Sequence, residues 1–390
     1  MNNFVFENST KVYFGQGVVA EHLPELAKKY GPKVLMGYGG GSIKKNGVYD
    51  EVTAILKEAG VEIIEFGGIM SNPTLNKMLE GAKLAKDNQV DWVLAVGGGS
   101  VMDCCKAISL AARYDGDVWA DFWEVQGNLD FEPLPLGMIV TMPATGSEVN
   151  GSAVLTNTKK KIKTDRDYPG LNAKFALMDP TYTLSMPIRQ LRAGTFDILS
   201  HIMETYFSFP IEDNISDDVS EALMRGLIRD MRAALQNPED YNARSNIMWA
   251  ASMAENRIIK MGKSKDFEVH NMEHQLSAYT DCNHGEGLAV LHPVYYRHIY
   301  KDGLGKFVRF ATNVWGLDPA KFQGDEDLAR EGIRCLERFI WECGLPTRLR
   351  DLGIDGSVSL RDIAHSCYTS AGAFRTIGID EIYEIYRECY

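Results

Sequence analysis

The 390-residue chain contains no apolar run of about 18 residues, the length a helix needs to cross a bilayer, and nothing at its N-terminus has the order of a secretory signal. It has no C-x-x-C pair. Its 7 cysteines are odd in number and scattered, which points to reduced thiols in a cytoplasmic protein rather than a disulfide framework. The adjacent Cys104 and Cys105 read as small apolar packing residues. Positive charge is also in short supply. Lys and Arg total 41 against 53 Asp and Glu, for a net charge of -12, so neither nucleic acid nor an anionic membrane surface is an expected partner. Internal repeats and low-complexity segments are missing as well. What is present is core-building material: 45% of residues are hydrophobic and 24% charged, the profile of a globular protein. At this length a single hydrophobic core is outgrown, and two domains are expected.

The first half alternates short apolar runs with helical periodicity. KVLMGY (33–38) reads as a buried strand, YDEVTAILKEAG (49–60) as a helix closed by Gly60, and VEIIEF (61–66) as the next strand. The unit then repeats: TLNKMLEGAKLAKDN is helical, DWVLAV (91–96) is a strand, and SVMDCCKAISLAARY is a helix directly after a glycine triplet. Such alternation implies parallel strands with helices on both faces. A hairpin follows, with SAVLTN and KIKT flanking a polar, solvated turn at Thr158, Lys159 and Lys160. From about Arg189 the pattern becomes almost wholly helical; SDDVSEALMRGLIRDMRAALQNP shows it, with Ser216 as the expected cap and Pro238 just past the end. The expected architecture is an α/β N-terminal domain with a parallel dinucleotide-binding sheet, residues 1–187, followed by an all-helical domain, residues 188–390.

Two loops of the first domain suit phosphate. GYGGGSIKKNG (37–47) and VGGGSVMD (96–103) each place three consecutive glycines after a strand, where the backbone can approach a ligand and helix-start N–H groups favour an anion. Neither is the G-x-G-x-x-G fingerprint, but two such loops on parallel strands point to a dinucleotide. No carboxylate occurs from Val34 to Val48, and Lys44 and Lys45 sit beside Ser42. That combination fits a 2'-phosphate, hence NADP rather than NAD; the competing reading of the two lysines is a solvated surface.

In FDILSHIMETYFS (196–208), Asp197 and His201 stand one helical turn apart in an otherwise apolar run, so both face one object. A buried Asp–His hydrogen bond is the simpler reading. EVHNMEHQLSAYTDCNHGEG adds His270 and His274, again one turn apart, and His284 after a short polar loop. Together these supply enough N and O donors for a divalent metal. HNMEH also fits the H-x-x-E-H metalloprotease pattern with Glu273 as general base, a reading that leaves both glycine loops and the Asp197/His201 pair unexplained. His22, His292, His298 and His365 have no recognisable spacing and read as structural or surface residues, although His292, next to Pro293, can also line a cavity.

Taken in order, VYFGQG, YGGGSIKKNGVYD, SNPTL, AVGGGSVMDCCKA, TMPATGSEVNGSAV, ALMDPTYT and the D-x-x-x-H and H-x-x-x-H…HG patterns resemble the iron-containing, group III alcohol dehydrogenases. Within them the likeness is to the NADPH-dependent butanol dehydrogenase and aldehyde reductase branch, and it covers nearly the whole chain. The resemblance implies a dehydroquinate synthase-like fold, a homodimer, and hydride transfer between NADP(H) and a primary alcohol or aldehyde such as butanol or butanal. It implies that Asp197, His201, His270 and His284 bind one divalent ion, iron or zinc, and that His274 lies near the nicotinamide and relays a proton. Gly39, Gly40 and Ser42 match the loop that holds the 2'-phosphate, and Gly98, Gly99, Ser100 and Asp103 match the pyrophosphate turn. Asn72, Thr141, Thr145, Ser147, Asn150 and Lys163 stand at positions used around the cofactor. Branches that prefer NAD tend to carry an acidic residue where this chain has Tyr38 and Gly39. A polyol dehydrogenase or a dehydroquinate synthase-like enzyme is the alternative on the same fold, and would need polar or basic groups around the metal. A non-catalytic metal- or nucleotide-binding protein fits less well, because no part of a hydride-transfer site is missing.

Overall fold

The computed structural model describes all 390 residues, and its contacts divide them into two units, Glu7–Pro187 and Met1–Phe6 with Ile188–Tyr390. The first six residues, expected in the N-terminal domain, group instead with the helical unit. The Asn2 backbone N–H donates to Gly262 O at 3.1 Å, which ties the chain's start to a loop of that unit.

The α/β unit runs β1 (Lys11–Phe14), α1 (Val18–Tyr30), β2 (Lys33–Tyr38), α2 (Ser42–Lys45), α3 (Val48–Glu58), β3 (Glu62–Phe66), α4 (Leu75–Asp87), β4 (Trp92–Gly97), α5 (Gly99–Ala111), β5 (Leu136–Val140), β6 (Ser152–Asn157), β7 (Ile162–Asp167) and β8 (Phe175–Met178). Six strands form one parallel sheet in the order β1-β8-β5-β4-β2-β3, while β6 and β7 form the antiparallel hairpin. Every residue of β4, β5 and β8 is buried, as strands covered on both faces must be. From β2 the chain moves outward to β3, whereas from β4 it turns the other way to β5. The order therefore reverses between β2 and β4, the crevice position where open α/β sheets bind ligands. Both glycine triplets sit there, at the C-terminal ends of these two neighbouring strands.

The second unit contains α6 (Ile188–Tyr206), α7 (Ile215–Gln236), α8 (Tyr241–Glu255), α9 (Glu268–Thr280), α10 (His284–Ile299), α11 (Leu304–Arg309), α12 (Asp325–Glu342), α13 (Leu360–Ser366) and α14 (Ile379–Cys389), with no strand. Helix α6 is buried all round from Ala193 to Tyr206 and packs against α7, α8 and α10. Its polar residues in that stretch therefore need partners inside the protein. The cap of α7 is Asn214, whose side chain accepts the Asp217 N–H at 3.0 Å, and not Ser216. Ser216 is drawn away because its hydroxyl donates to Met261 O at 2.8 Å.

Asp217 is fully buried between two buried lysines, Lys263 at 2.8 Å and Lys306. Lys263 also donates to the carbonyls of Tyr206 and Ser208 at 3.3 and 3.1 Å, so the cluster fastens the end of α6 to α7. Asp217 is the carboxylate that both lysines share, and removing it leaves two buried amines without that partner. Asp217→Asn is expected to lower stability by roughly 3 to 5 kcal/mol, read as a reduced denaturant midpoint by far-UV circular dichroism. A midpoint equal to that of the wild type would show that the lysines do not depend on this carboxylate.

Candidate metal centre and cofactor loops

Three helices bring the metal candidates together. Asp197 and His201 come from adjacent turns of α6, His270 from the first turn of α9, and His284 opens α10. Asp197 Oδ1 lies 3.5 Å from His201 Nδ1, 3.7 Å from His270 Nε2 and 3.6 Å from His284 Nε2. Donors bound to one ion at about 2.0–2.2 Å stand roughly 3 to 3.6 Å apart, so the Nε2 atoms of His270 and His284 are spaced from Asp197 much as a shared cation needs, and a ring nitrogen of His201 lies within 4.8 Å of the ligand atoms of Asp197 and His270. Asp197 Oδ1 and His270 Nε2 are both buried without a hydrogen-bond partner, a costly condition that a bound metal removes. The donor set of three imidazoles and one carboxylate therefore fits a divalent ion on this protein's own geometry.

Each imidazole is also aimed. His201 Nδ1 donates to the Asp197 carbonyl at 2.9 Å, one turn back on the same helix. His270 Nδ1 is held by Glu204, and His284 Nδ1 by Glu273. All three partners can only accept in these roles, which places the proton on Nδ1 and leaves the Nε2 lone pair for a metal. Glu204 is itself fixed, accepting the N–H groups of Val269 at 2.7 Å and His270 at 3.3 Å at the start of α9. Glu273 also accepts from the Ser277 hydroxyl. With its two oxygens so occupied, Glu273 orients His284 and cannot serve as the general base of a metalloprotease.

The charges agree with this arrangement. Burial alone would raise the Asp197 pKa, but His201, His284 and His270 bring it down to about 2. Burial would likewise disfavour a charged His270, yet Glu204 and Asp197 push it up to about 10. His274 lies beside this group, its ring centroid 5.5 Å from that of His284 and 6.1 Å from that of His270.

Close packing sets the distance between α10 and α6. A Cβ on Gly285 would meet Ala193 O at 2.1 Å, so only glycine lets the turn that carries His284 reach Asp197. Arg189 then clamps the same two helices, its Nε and Nη2 each donating to Glu286 at 2.6 Å.

In the α/β unit the second glycine loop is the more complete anion site. Gly98 precedes α5, a helix of 13 residues, whereas α2 after Gly39, Gly40 and Gly41 has 4 residues and too few peptide dipoles to matter. A Cβ on Gly99 would fall 2.4 Å from Thr145, and one on Gly98 would fall 3.1 Å from Met142. Thr141 N–H donates to Gly97 O at 3.0 Å. Gly98, Gly99, Thr141 and Thr145 are thereby gathered at one place, with Ser100 in the first turn of α5. Asp103, Ser147 and Asn150 are joined in one network. Ser147 donates to Asp103 at 2.6 Å, and the fully buried Lys106 donates to Ser147 at 2.7 Å, Asn150 at 2.9 Å and Ser152 O at 2.7 Å. These side chains brace α5 against the turn after β5. A lysine on an apolar helix normally points to water, so the one sequence signal of Lys106 is its D-x-x-K spacing to Asp103. Asn72, at φ 54°, begins the turn whose Pro73 O accepts the Thr156 N–H at 2.9 Å, and Lys163 pairs with Thr156 across the hairpin. Around the first loop the structure adds a carboxylate that the local sequence lacks, because Glu65 of β3 lies 3.7 Å from Lys44.

Outer partners of ligating histidines commonly change metal affinity by 10- to 100-fold. Glu204→Gln and Glu273→Gln are each expected to weaken metal retention by about that factor in competition with a chelator, whereas His270→Ala loses the metal outright. Wild-type retention in both glutamine variants would mean that these carboxylates do not orient the ligands.

Comparison with known proteins agrees with both units. The family model "Iron-containing alcohol dehydrogenase" matches residues 9–180, and the model of the C-terminal region of the same family matches residues 192–390. The chain is 40% identical to NADH-dependent butanol dehydrogenase A of Clostridium acetobutylicum, over 100% of both chains. It is 34% identical to NADPH-dependent aldehyde reductase YqhD of Escherichia coli, over 99% of both. Among solved structures, NADH-dependent butanol dehydrogenase A of Thermotoga maritima superposes with a TM-score of 0.94 at 35% identity, covering 100% of this chain and 99% of that one. With matches that span both units and a site built from the same helices that carry the D-x-x-x-H and H-x-x-x-H patterns, the chain belongs to the iron-containing alcohol dehydrogenase family.

Proposed function

We propose that this alcohol dehydrogenase interconverts primary alcohols and aldehydes of the butanol and butanal type using NADP(H), with Asp197, His201, His270 and His284 holding a divalent ion. The observation that carries the reading is the set of three imidazoles whose Nδ1 atoms are each tied to an acceptor while Asp197 stands among them. Imidazole and carboxylate donors suit iron(II) and zinc(II) alike. When bound, the ion supplies Lewis acidity toward a substrate oxygen and the nicotinamide supplies or accepts hydride. Asp197 and the three histidines are the residues that would hold the ion and so position its Lewis acidity. His274, beside His284 and His270, is the residue placed to pass a proton to or from the substrate oxygen. Phe267 lines the same neighbourhood, its ring 5.2 Å from that of His270 and 6.1 Å from that of His201, which supports an apolar substrate. Lys260, a cation that acts on His201, is already paired with Glu255 at 2.6 Å. A carboxylated substrate of the dehydroquinate synthase kind therefore has less support. As the assembly we propose a homodimer, which light scattering checks.

NADP(H) is proposed over NAD(H) because the first glycine loop carries no carboxylate and Lys44 follows it. The relatives' names divide on this point, NADH for the 40% identical protein and NADPH for the 34% identical one. Hydrogen bonds to a charged group contribute roughly 1.5 to 3 kcal/mol each, so one or two give NADPH an advantage of about tenfold or more. The test is kcat/KM for both cofactors with butanal, in wild type and in Gly39→Asp, which is expected to reverse the preference. Equal wild-type values would sink the NADP reading. His274→Ala is expected to retain metal and lose turnover with a changed pH profile; an unchanged profile would remove it from proton transfer.

A further inference from the structure

Beyond the glycine loop, a cluster on the neighbouring strand bears on the 2'-position. Register pairs Met36 of β2 with Glu65 of β3. Two backbone bonds, Gly68 N–H to Gly39 O at 3.1 Å and Ile69 N–H to Tyr38 O at 3.2 Å, hold the exit of β3 against the first glycine loop. Glu65 accepts from the Tyr49 hydroxyl at 2.6 Å and from the Tyr38 hydroxyl at 2.8 Å. Lys44, two residues beyond Ser42, places its ammonium 4.3 Å from the Tyr49 ring centroid, 5.0 Å from that of Tyr38 and 3.7 Å from Glu65 Oε2. A flexible side chain is thus held by two aromatic faces and a carboxylate.

We infer that Glu65 is a specificity-determining residue for the cofactor, acting through Lys44: it positions the ammonium beside the 2'-site and offsets the charge that a 2'-phosphate would meet. The inference rests on the reading of this loop as the 2'-site. Both tyrosine hydroxyls donate to Glu65, and the Tyr49 bond foremost holds its carboxyl below the usual range, so the residue is ionised at neutral pH. Lys44 and Glu65 are both roughly half-exposed, and 3.7 Å exceeds a direct hydrogen bond. A pair of this kind is weak. A phosphate dianion can therefore take Lys44 from Glu65, but must do so against the carboxylate's competition. A ribose 2'-hydroxyl leaves the pair intact. Glu65 in this way lowers the advantage of the phosphorylated cofactor without penalising the other one, and keeps the two close enough that small changes shift the choice.

The test separates binding from turnover by titrating the full-length, metal-loaded protein with adenosine 2',5'-bisphosphate and with 5'-AMP in a calorimeter, so that the ratio of their affinities reads the 2'-phosphate alone. Glu65→Gln is expected to raise that ratio by roughly two- to fivefold and to leave 5'-AMP unchanged within the error of the titration. Lys44→Gln is expected to lower it, and Glu65→Gln added to Lys44→Gln to change it little, since the first residue acts through the second. A ratio unmoved by Glu65→Gln overturns the inference, as does an equal rise in the absence of Lys44, or a loss of 5'-AMP affinity that would make Glu65 a direct ribose ligand. A wild-type ratio near one that Glu65→Gln raises would refute the NADP preference and support the role of Glu65. A wild-type ratio well above one that Glu65→Gln leaves unchanged would do the reverse.

Discussion

Everything at the candidate metal centre depends on which nitrogen of each imidazole carries the proton. A neutral histidine has one donor and one acceptor nitrogen, and a ring left to itself exchanges them. Here the choice is made three times, by the Asp197 carbonyl for His201, by Glu204 for His270 and by Glu273 for His284. The three acceptors differ in kind but have the same effect, since each leaves Nε2 as the free lone pair. Helix α9 shows how economically this is arranged, because Glu204 both orients His270 and satisfies N–H groups at the helix's start, which otherwise have no intrahelical partner. One buried carboxylate thus stabilises the helix and aims a ligand that the helix carries.

The same economy explains two glycines. Gly285 follows His284 because α10 presses onto Ala193, and Gly99 stands in its loop because Thr145 occupies the space a side chain would need. In both places backbone is brought close to a functional point and side-chain volume is excluded. Substitution at either site would shift an element and not merely a contact, since the nearest atoms belong to backbone or to a β-branched side chain.

What the sequence revealed followed from short-range periodicity. Asp197 and His201, or His270 and His274, declare a shared face by standing one turn apart, and the two glycine triplets declare their loops because flanking strands are continuous apolar runs. Glu204 and Lys106 were invisible for the opposite reason. Each is a charged residue in an apolar helix whose partners lie far along the chain, His270 for the one and Ser147, Asn150 and Ser152 for the other. Only tertiary packing turns such residues from oddities into supports. Asp103, Ser147 and Asn150, which the resemblance puts around the cofactor, have their side chains linked to one another through Lys106, a connection no local pattern announces. Even the cap of α7 was decided at a distance, when Met261 O claimed the Ser216 hydroxyl and left Asn214 to the helix.

Glu65 belongs with these long-range effects and gives them a functional edge. Between Val34 and Val48 there is no carboxylate, yet the parallel pairing of β2 with β3 delivers one to Lys44 from outside that window. Acidic residues counted along the second strand and its loop therefore leave out the charge that matters, because Glu65 of the neighbouring strand, level with Met36, reaches Lys44 from the side. The balance at such a site is set by half-exposed groups whose interactions are each weak, in contrast to the buried carboxylates that orient the candidate metal-ligating histidines. The two groups of residues therefore differ in how easily they change: altering one residue beside the first glycine loop shifts a ratio, while altering one acceptor behind a candidate metal-ligating histidine removes a lone pair from its place.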